Sequence, residues 1–294
     1  MQFGIDIPLF GPFADIHTVV ALARDAEAAG WDGFFIWDDV ATGGGQPLAD
    51  PWIALTAVAV NTRRLRIGPM VTPLARRRPW KVARETVTLD HLSGGRLILG
   101  VGLGDDRAQF DNLGEPTSLK TRGAMLDEAL AVLAGLWSGE RFSFEGAHFH
   151  VKDAHFQPTP LQQPRIPVWV AGRWPNKAPF RRAARWDGVF PIGRDLSLSE
   201  MLSPAQMRDV LAHTLAGREH AAPFDVAHAG ITPGKDRAQD AAQEAETVAQ
   251  YAEAGVTWWL EQINPWAFGW DGRGPWPLEA MRARVLAGPP GAPA

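Results

Sequence analysis

LDHLSGGRLILGVGLGDD, running from Leu89 to Asp106, sets glycine at every second position of an apolar run, at 100, 102 and 104. A β-strand sends alternate side chains to opposite faces. From Arg96 onward one face carries Leu97, Leu99, Val101 and Leu103, and the other carries Ile98, Gly100, Gly102 and Gly104. One face is built to pack and the other is bare. In a closed barrel the outer face of a strand meets helices while the inner face fills the interior. The leucine face is therefore expected to point outward. The glycine face would point inward near the C-terminal mouth, leaving room for something flat against the backbone or only relieving crowding. The G-x-G-x-G spacing, with no helix starting inside it, is not a dinucleotide fingerprint.

Outward from this strand the chain alternates strand-like and helix-like segments. Strands are expected near Phe3–Pro8, Gly33–Trp37, Leu65–Val71, Arg96–Leu103, Ile166–Ala171, Gly188–Ile192, Phe224–Gly230 and Val256–Gln262. Helices are expected near Ile16–Ala29, Pro51–Asn61, Pro79–Leu92, Thr121–Trp137, Lys177–Trp186, Pro204–Ala216, Asp236–Ala254 and Leu278–Leu286. Leu126, Leu130, Leu133 and Trp137 form one apolar stripe at helical spacing. Gly30 and Gly255 suit left-handed C-terminal caps, and Pro51 and Pro79 suit first helical turns. About eight βα units in 294 residues imply an α/β fold, a (β/α)8 TIM barrel, rather than an open doubly wound sheet. Glu140–Pro167, with alternating Phe142, Phe144, His148 and His150, resembles a hairpin excursion between the fourth helix and the fifth strand. One barrel domain over residues 1–287 is expected, with a frayed Pro/Gly/Ala tail at 288–294.

A 46 % hydrophobic, 21 % charged composition suits a globular chain with a large core. The net charge of −4 argues against a nucleic-acid partner or membrane surface, and no apolar run approaches a membrane span. With no cysteine, disulfides, thiolate nucleophiles and Cys-ligated metals are excluded. Met1–Asp6 lacks the pattern of a signal peptide, so a cytoplasmic protein is expected. No metal site is expected at His148, His150 and His155, which read as hairpin alternation. Arg76, Arg77 and Arg78 read first as a solvated loop, with contact to a cofactor's anionic tail as the alternative.

The stretch PWKVARETVTLDHLSGGRLILGVGLG, preceded by RIGPMVTPLARR, resembles the luciferase-like family of flavin-dependent oxidoreductases. IPVWVAGRWPNKAPFRRAARWDGVFPIG and AEAGVTWWLEQINP are similar to later parts of the same family. The resemblance implies FMN or the deazaflavin coenzyme F-420 at the C-terminal mouth. It implies hydride transfer at N5 or C5 of the ring, or monooxygenation with reduced FMN and oxygen. A small, apolar substrate, a separate flavin reductase and a homodimer are the partners that follow from it. A flavin-binding protein without turnover is the alternative.

The resemblance also distributes roles. Asp38 matches an aspartate near the ring, and Asp39 stands where deazaflavin-dependent relatives carry histidine. The bland reading is a turn cap beside a solvated carboxylate. Met70, Val71 and Thr72 match a bulge under the ring, with a non-proline cis peptide in some relatives between Met70 and Val71. Asp105 matches a general acid, and with Asp39 it is a candidate catalytic carboxyl. Gly102 and Gly104 would lie against the cofactor. Gly172 with Arg173, and Gly193 with Arg194, end consecutive strands and match the cofactor-phosphate region. Trp37, Trp259 and Glu261 are candidate substrate contacts. Of Trp258 and Trp259, which alternate, Trp259 is taken as the one that lines the mouth. Ala41–Asp50 reads as a flap or a plain loop, and the Trp266, Trp270 and Trp276 segment as a lid or a dimer surface.

Overall fold

The computed structural model describes residues 1–104, 107–193, 201–219, 221–232 and 237–291. Its strands are β1 (Gln2–Ile7), β2 (Gly33–Ile36), β3 (Arg66–Pro69), β4 (Thr72–Pro73), β5 (Leu99–Gly102), β6 (Arg141–Glu145) and β7 (His150–His155). They continue as β8 (Val168–Arg173), β9 (Gly188–Ile192), β10 (Asp225–Gly230) and β11 (Trp258–Gln262). Helices α1 (Ile16–Ala28), α2 (Pro51–Asn61), α3 (Pro79–Ser93) and α4 (Leu119–Trp137) fill the first half. The second half contains α5 (Ala178–Ala183), α6 (Pro204–Leu215), α7 (Arg237–Glu253) and α8 (Leu278–Leu286).

Parallel pairing runs β3-β2-β1-β11-β10-β9-β8-β5-β4. The ring closes where the Ile67 amide donates to Arg96 O (3.0 Å) and the Ile98 amide donates to Ile67 O (2.8 Å). β3 and β4 are one strand interrupted at Met70 and Val71, so the sheet is the eight-stranded barrel expected from the βα alternation. β6 and β7 form a separate antiparallel hairpin between α4 and β8, as the alternating Phe and His residues suggested.

Two apolar layers follow from strand alternation. Leu97, Leu99 and Val101 are fully buried in the outer layer between sheet and helices, where the α4 stripe of Leu126, Leu130, Leu133 and Trp137 also packs. Inside the barrel, Ile98 joins Phe35, Trp169 and Trp258. The three aromatic rings meet with centroids 5.4–5.8 Å apart, in the range of favourable aromatic pairs, and plug the interior. Asp225 stays in this interior by accepting from Trp169 Nε1 at 3.2 Å.

Local chemistry sets the helix ends. Asp15, Asp50 and Ser118 accept from the backbone amides of His17, Ile53 and Thr121, each satisfying an orphan donor of a first turn. α5 is shorter than the Lys177–Trp186 pattern suggested, because the chain leaves the helix after Ala183 and returns in turns toward β9. Gly288 to Pro290, expected in the frayed tail, are buried, and Gly288 O accepts from Arg284 Nη1 at 2.8 Å. Among the described residues, no helix is long and apolar enough to cross a membrane.

Candidate active site

The strand ends converge on a cavity of about 680 Å³, within the range of small-molecule sites. After β3 the chain bulges through Met70 and Val71, whose peptide bond is cis, before resuming as β4 beside β5. A Cβ on Gly100 would sit 2.3 Å from Pro69 O and 2.9 Å from Met70 Sδ. One on Gly102 would sit 2.6 Å from Val71 Cγ2. The bare face of β5 therefore seats the chain's own bulge, and Met70, Val71 and Gly102 together become a wall of the cavity. Gly104, at φ +69°, also lines it and lies against Phe110, where a Cβ would come within 2.6 Å.

Behind this wall Asp38 is fixed by three side-chain donors. Its Oδ2 accepts from Thr72 Oγ1 (2.7 Å), and its Oδ1 from Arg76 Nη2 (3.0 Å) and Arg77 Nη2 (2.6 Å). The side chains of Asp38 and Arg76 are 0 % and 3 % exposed. Bonds to Asp38 at such burial orient the side chains of both arginines. Arg76 and Arg77 are accordingly not solvated, whereas Arg78 is exposed as a solvated loop residue would be. The charge of the first two is drawn inward by a carboxylate that sequence spacing gave no reason to pair with them. Thr72 is fully buried and serves Asp38 from behind the cavity wall.

Gln109 ties the cluster to the rim, accepting from Arg76 Nη1 (2.6 Å) and donating to Asp39 Oδ1 (2.6 Å). Asp38, Asp39 and Trp37 all line the cavity from the end of β2, facing Gly172 and Arg173 at the end of β8 and Gly193 beyond β9. Burial pulls the Arg76 pKa down while Asp38 raises it. A guanidinium stays protonated through such a shift. Its buried Nε has no partner.

One carboxyl escaped the reading of the sequence. Asp6, inward-facing on β1 between the outward Ile5 and Ile7, lines the cavity and is 2 % exposed. Its Oδ2 accepts from Trp37 Nε1 and Gln262 Nε2, both at 3.1 Å, and its Oδ1 has no partner. Burial raises its pKa to about 7, against the smaller lowering effect of those two bonds. The available signal was a charged residue on the inward side of a barrel strand near its C-terminal end. Phe10, Trp37 and Trp266 add an aromatic wall, Trp37 and Trp266 lying parallel with centroids 6.5 Å apart. Thus Trp266, from the tryptophan-rich loop, faces the cavity, as do Ala41 to Gly44 of the proposed flap.

Two candidates lie elsewhere. Trp259 is the outward member of its pair, fully buried against Tyr251 of α7 and His228, and Trp258 points inward. Glu261 shares the outward side, accepting from Trp259 Nε1 (2.8 Å), the Thr232 amide (3.0 Å) and Arg284 Nε (3.2 Å). Neither lines the cavity. Gln262, one position on, is the residue of β11 that reaches the cavity. Asp105 and Arg194 lie outside the described residues. Among those described, no cluster of His, Asp or Glu is arranged to hold a metal.

The luciferase-like monooxygenase family model matches residues 1–290, so the chain belongs to that family. An F-420-dependent glucose-6-phosphate dehydrogenase from Beutenbergia cavernae is 37 % identical over 190 residues, 61 % of this chain and 54 % of that protein. The match thus spans about half the length of that curated relative. The coenzyme F-420-dependent tetrahydromethanopterin reductase from Methanopyrus kandleri superposes with a TM-score of 0.73, covering 98 % of each chain at 17 % identity. An FMN-bound type II Baeyer–Villiger monooxygenase component from Pseudomonas putida gives 0.64 at 17 % identity, covering 86 % of this chain and 73 % of that one. The last two are likenesses of fold.

Proposed function

We propose that this member of the family is an oxidoreductase that binds a flavin-type cofactor, coenzyme F-420 or FMN, in the barrel mouth. It would exchange hydride between that cofactor and a small, largely apolar organic substrate. The observation that carries the reading is the bulge seated in the glycine face of β5, which gives the cavity a wall of backbone and short apolar side chain suited to a flat ring. The residues present fit such a group in charge as well, since the Arg173 guanidinium lines the cavity beside Gly172 and Gly193. Met70, Val71, Gly102 and Gly104 would hold the ring system. Gly172, Arg173 and Gly193 would hold the phosphate-bearing chain, with guanidinium chemistry suited to phosphate.

When bound, the cofactor supplies the hydride acceptor or donor. The protein's side chains supply the setting. Asp38 fixes Arg76, Gln109 holds Asp39 at the rim, and the aromatic wall keeps water from an apolar substrate body. The name of the Beutenbergia cavernae relative favours coenzyme F-420 over FMN.

The test is anaerobic mixing of the protein with oxidised coenzyme F-420, or with FMN, and a panel of small alcohols. Substrate-dependent bleaching of the cofactor absorbance is the expected result. Binding without bleaching under any condition would leave a flavin-binding protein without turnover.

A further inference from the structure

Asp6 is a titratable group at the cavity that the family resemblance assigns to nothing. It projects inward from β1 between the cavity rim and the aromatic plug below. Its two oxygens are unlike. Oδ2 is anchored by two neutral donors, Trp37 Nε1 and Gln262 Nε2, and Oδ1 is unpartnered although the side chain is almost wholly buried. A buried carboxylate without a cation is costly, and a buried carboxylic acid without an acceptor wastes its proton. The arrangement is resolved when a substrate oxygen occupies the free side, accepting from the acid or donating to the carboxylate.

The other titratable groups that line the cavity sit on other strands. Asp38 and Arg76, from the β2 and β4 ends, are paired with each other, and Asp39 accepts from Gln109. Arg173 lies at the end of β8, and His228 of β10 is buried in a stack on Tyr251, its pKa lowered to about 3 by burial. Neither of the side chains hydrogen-bonded to Asp6 is charged.

We propose that Asp6 is the acid–base catalyst of this site, exchanging a proton at Oδ1 with the hydroxyl or carbonyl oxygen of a substrate whose apolar body lies against Trp37 and Trp266. The inference rests on the functional reading above and extends it to substrate class, an alcohol–carbonyl pair on an apolar frame. In the oxidative direction the substrate O–H bond breaks and a new O–H bond forms on Asp6 Oδ1. The carbon-bound hydrogen leaves with its electron pair to the oxidised flavin-type cofactor, and the carbon–oxygen bond becomes double. In the reductive direction Asp6 returns the proton to the oxygen. A carboxyl that titrates near neutrality is matched to both.

The experiment combines an infrared titration of the ligand-free protein with cofactor binding and turnover, for the wild type, Asp6→Asn and Gln262→Met. The wild type should show a protonated-carboxyl band that titrates near pH 7 and is missing in Asp6→Asn. Gln262→Met removes one of the two bonds that lower the pKa, so its band should titrate at higher pH. Asp6→Asn should bind cofactor as the wild type does, and its turnover should fall by about 10²- to 10⁴-fold, with the limb near pH 7 lost from the rate profile. A wild-type band confined to the ordinary carboxylate range would overturn the assignment. So would an Asp6→Asn enzyme with an unchanged rate profile. Failure of the wild type to bind either cofactor would instead overturn the functional reading, and this inference with it.

Discussion

At the scale of single residues, two aspartates in one mouth have opposite fates because of what surrounds them. Asp38 meets two guanidinium groups and a hydroxyl, and is clamped by them. Asp38→Asn would leave buried arginine charge uncompensated. A loss of about 3–5 kcal/mol is expected by chemical denaturation, together with weaker cofactor binding. A loss under about 1 kcal/mol would show that the clamp is unimportant. Asp6 meets neutral partners, and burial lifts its pKa from 3.8 to about 7. Between those values the folded chain keeps a proton that the unfolded chain has released. Its contribution to stability is therefore complete at low pH and declines through neutrality, by at most about 1.4 kcal/mol per pH unit. Asp6→Asn should gain on the wild type in melting temperature from about pH 4 to pH 7 and hold a constant margin above. A margin independent of pH would contradict this. The sequence displayed Asp38 because a family pattern covers it. Asp6, and the pairing of Arg76 with Asp38, stayed hidden because they depend on partners 31 and 38 residues away, which no local spacing reveals.

At the scale of elements, β5 and the bulge are one device. The alternation that made Leu97, Leu99 and Val101 outward and the glycines inward was legible from period two alone. What the glycines accommodate was not, because the Pro69–Val71 segment that fills their space reaches them only once the barrel has closed. Gly100→Ala should cost about 1–3 kcal/mol, since the new methyl collides with the backbone oxygen of Pro69, which cannot move without shifting the bulge. Gly43→Ala, with nothing within 4 Å of its added Cβ, is the control and should stay within about 0.5 kcal/mol. Equal effects at the two sites would mean that the close packing of bulge on strand is not a constraint. The choice between Trp258 and Trp259 failed for a related reason. Alternation says that they oppose each other, but which one faces inward is set by the register Gly4↔Leu260, which only the paired sheet supplies.

At the scale of the whole molecule, the barrel separates a stabilising exterior layer from a reactive mouth. Trp259 and Glu261 belong to the exterior, linking β11 to α7, α8 and Thr232. Trp259→Ala should cost about 3–5 kcal/mol in a denaturant titration while the surviving folded protein binds cofactor with unchanged affinity. Loss of affinity in fully folded Trp259→Ala protein would return this residue to the site. The βα alternation announced the closed barrel, and the family resemblance located its mouth. The aromatic wall and the carboxyl beneath it required the closed structure. Receipt of a flavin-type cofactor by this mouth is what the proposed function stands on. It is tested most directly by a fluorescence titration of the cofactor-stripped protein with coenzyme F-420 and with FMN, each oxidised and reduced. Saturable binding of one of them, tighter than about 100 μM or −5.5 kcal/mol and stronger for coenzyme F-420, is the result predicted here. Absence of binding by both at that concentration would contradict the account and leave the glycine face of β5 as packing alone.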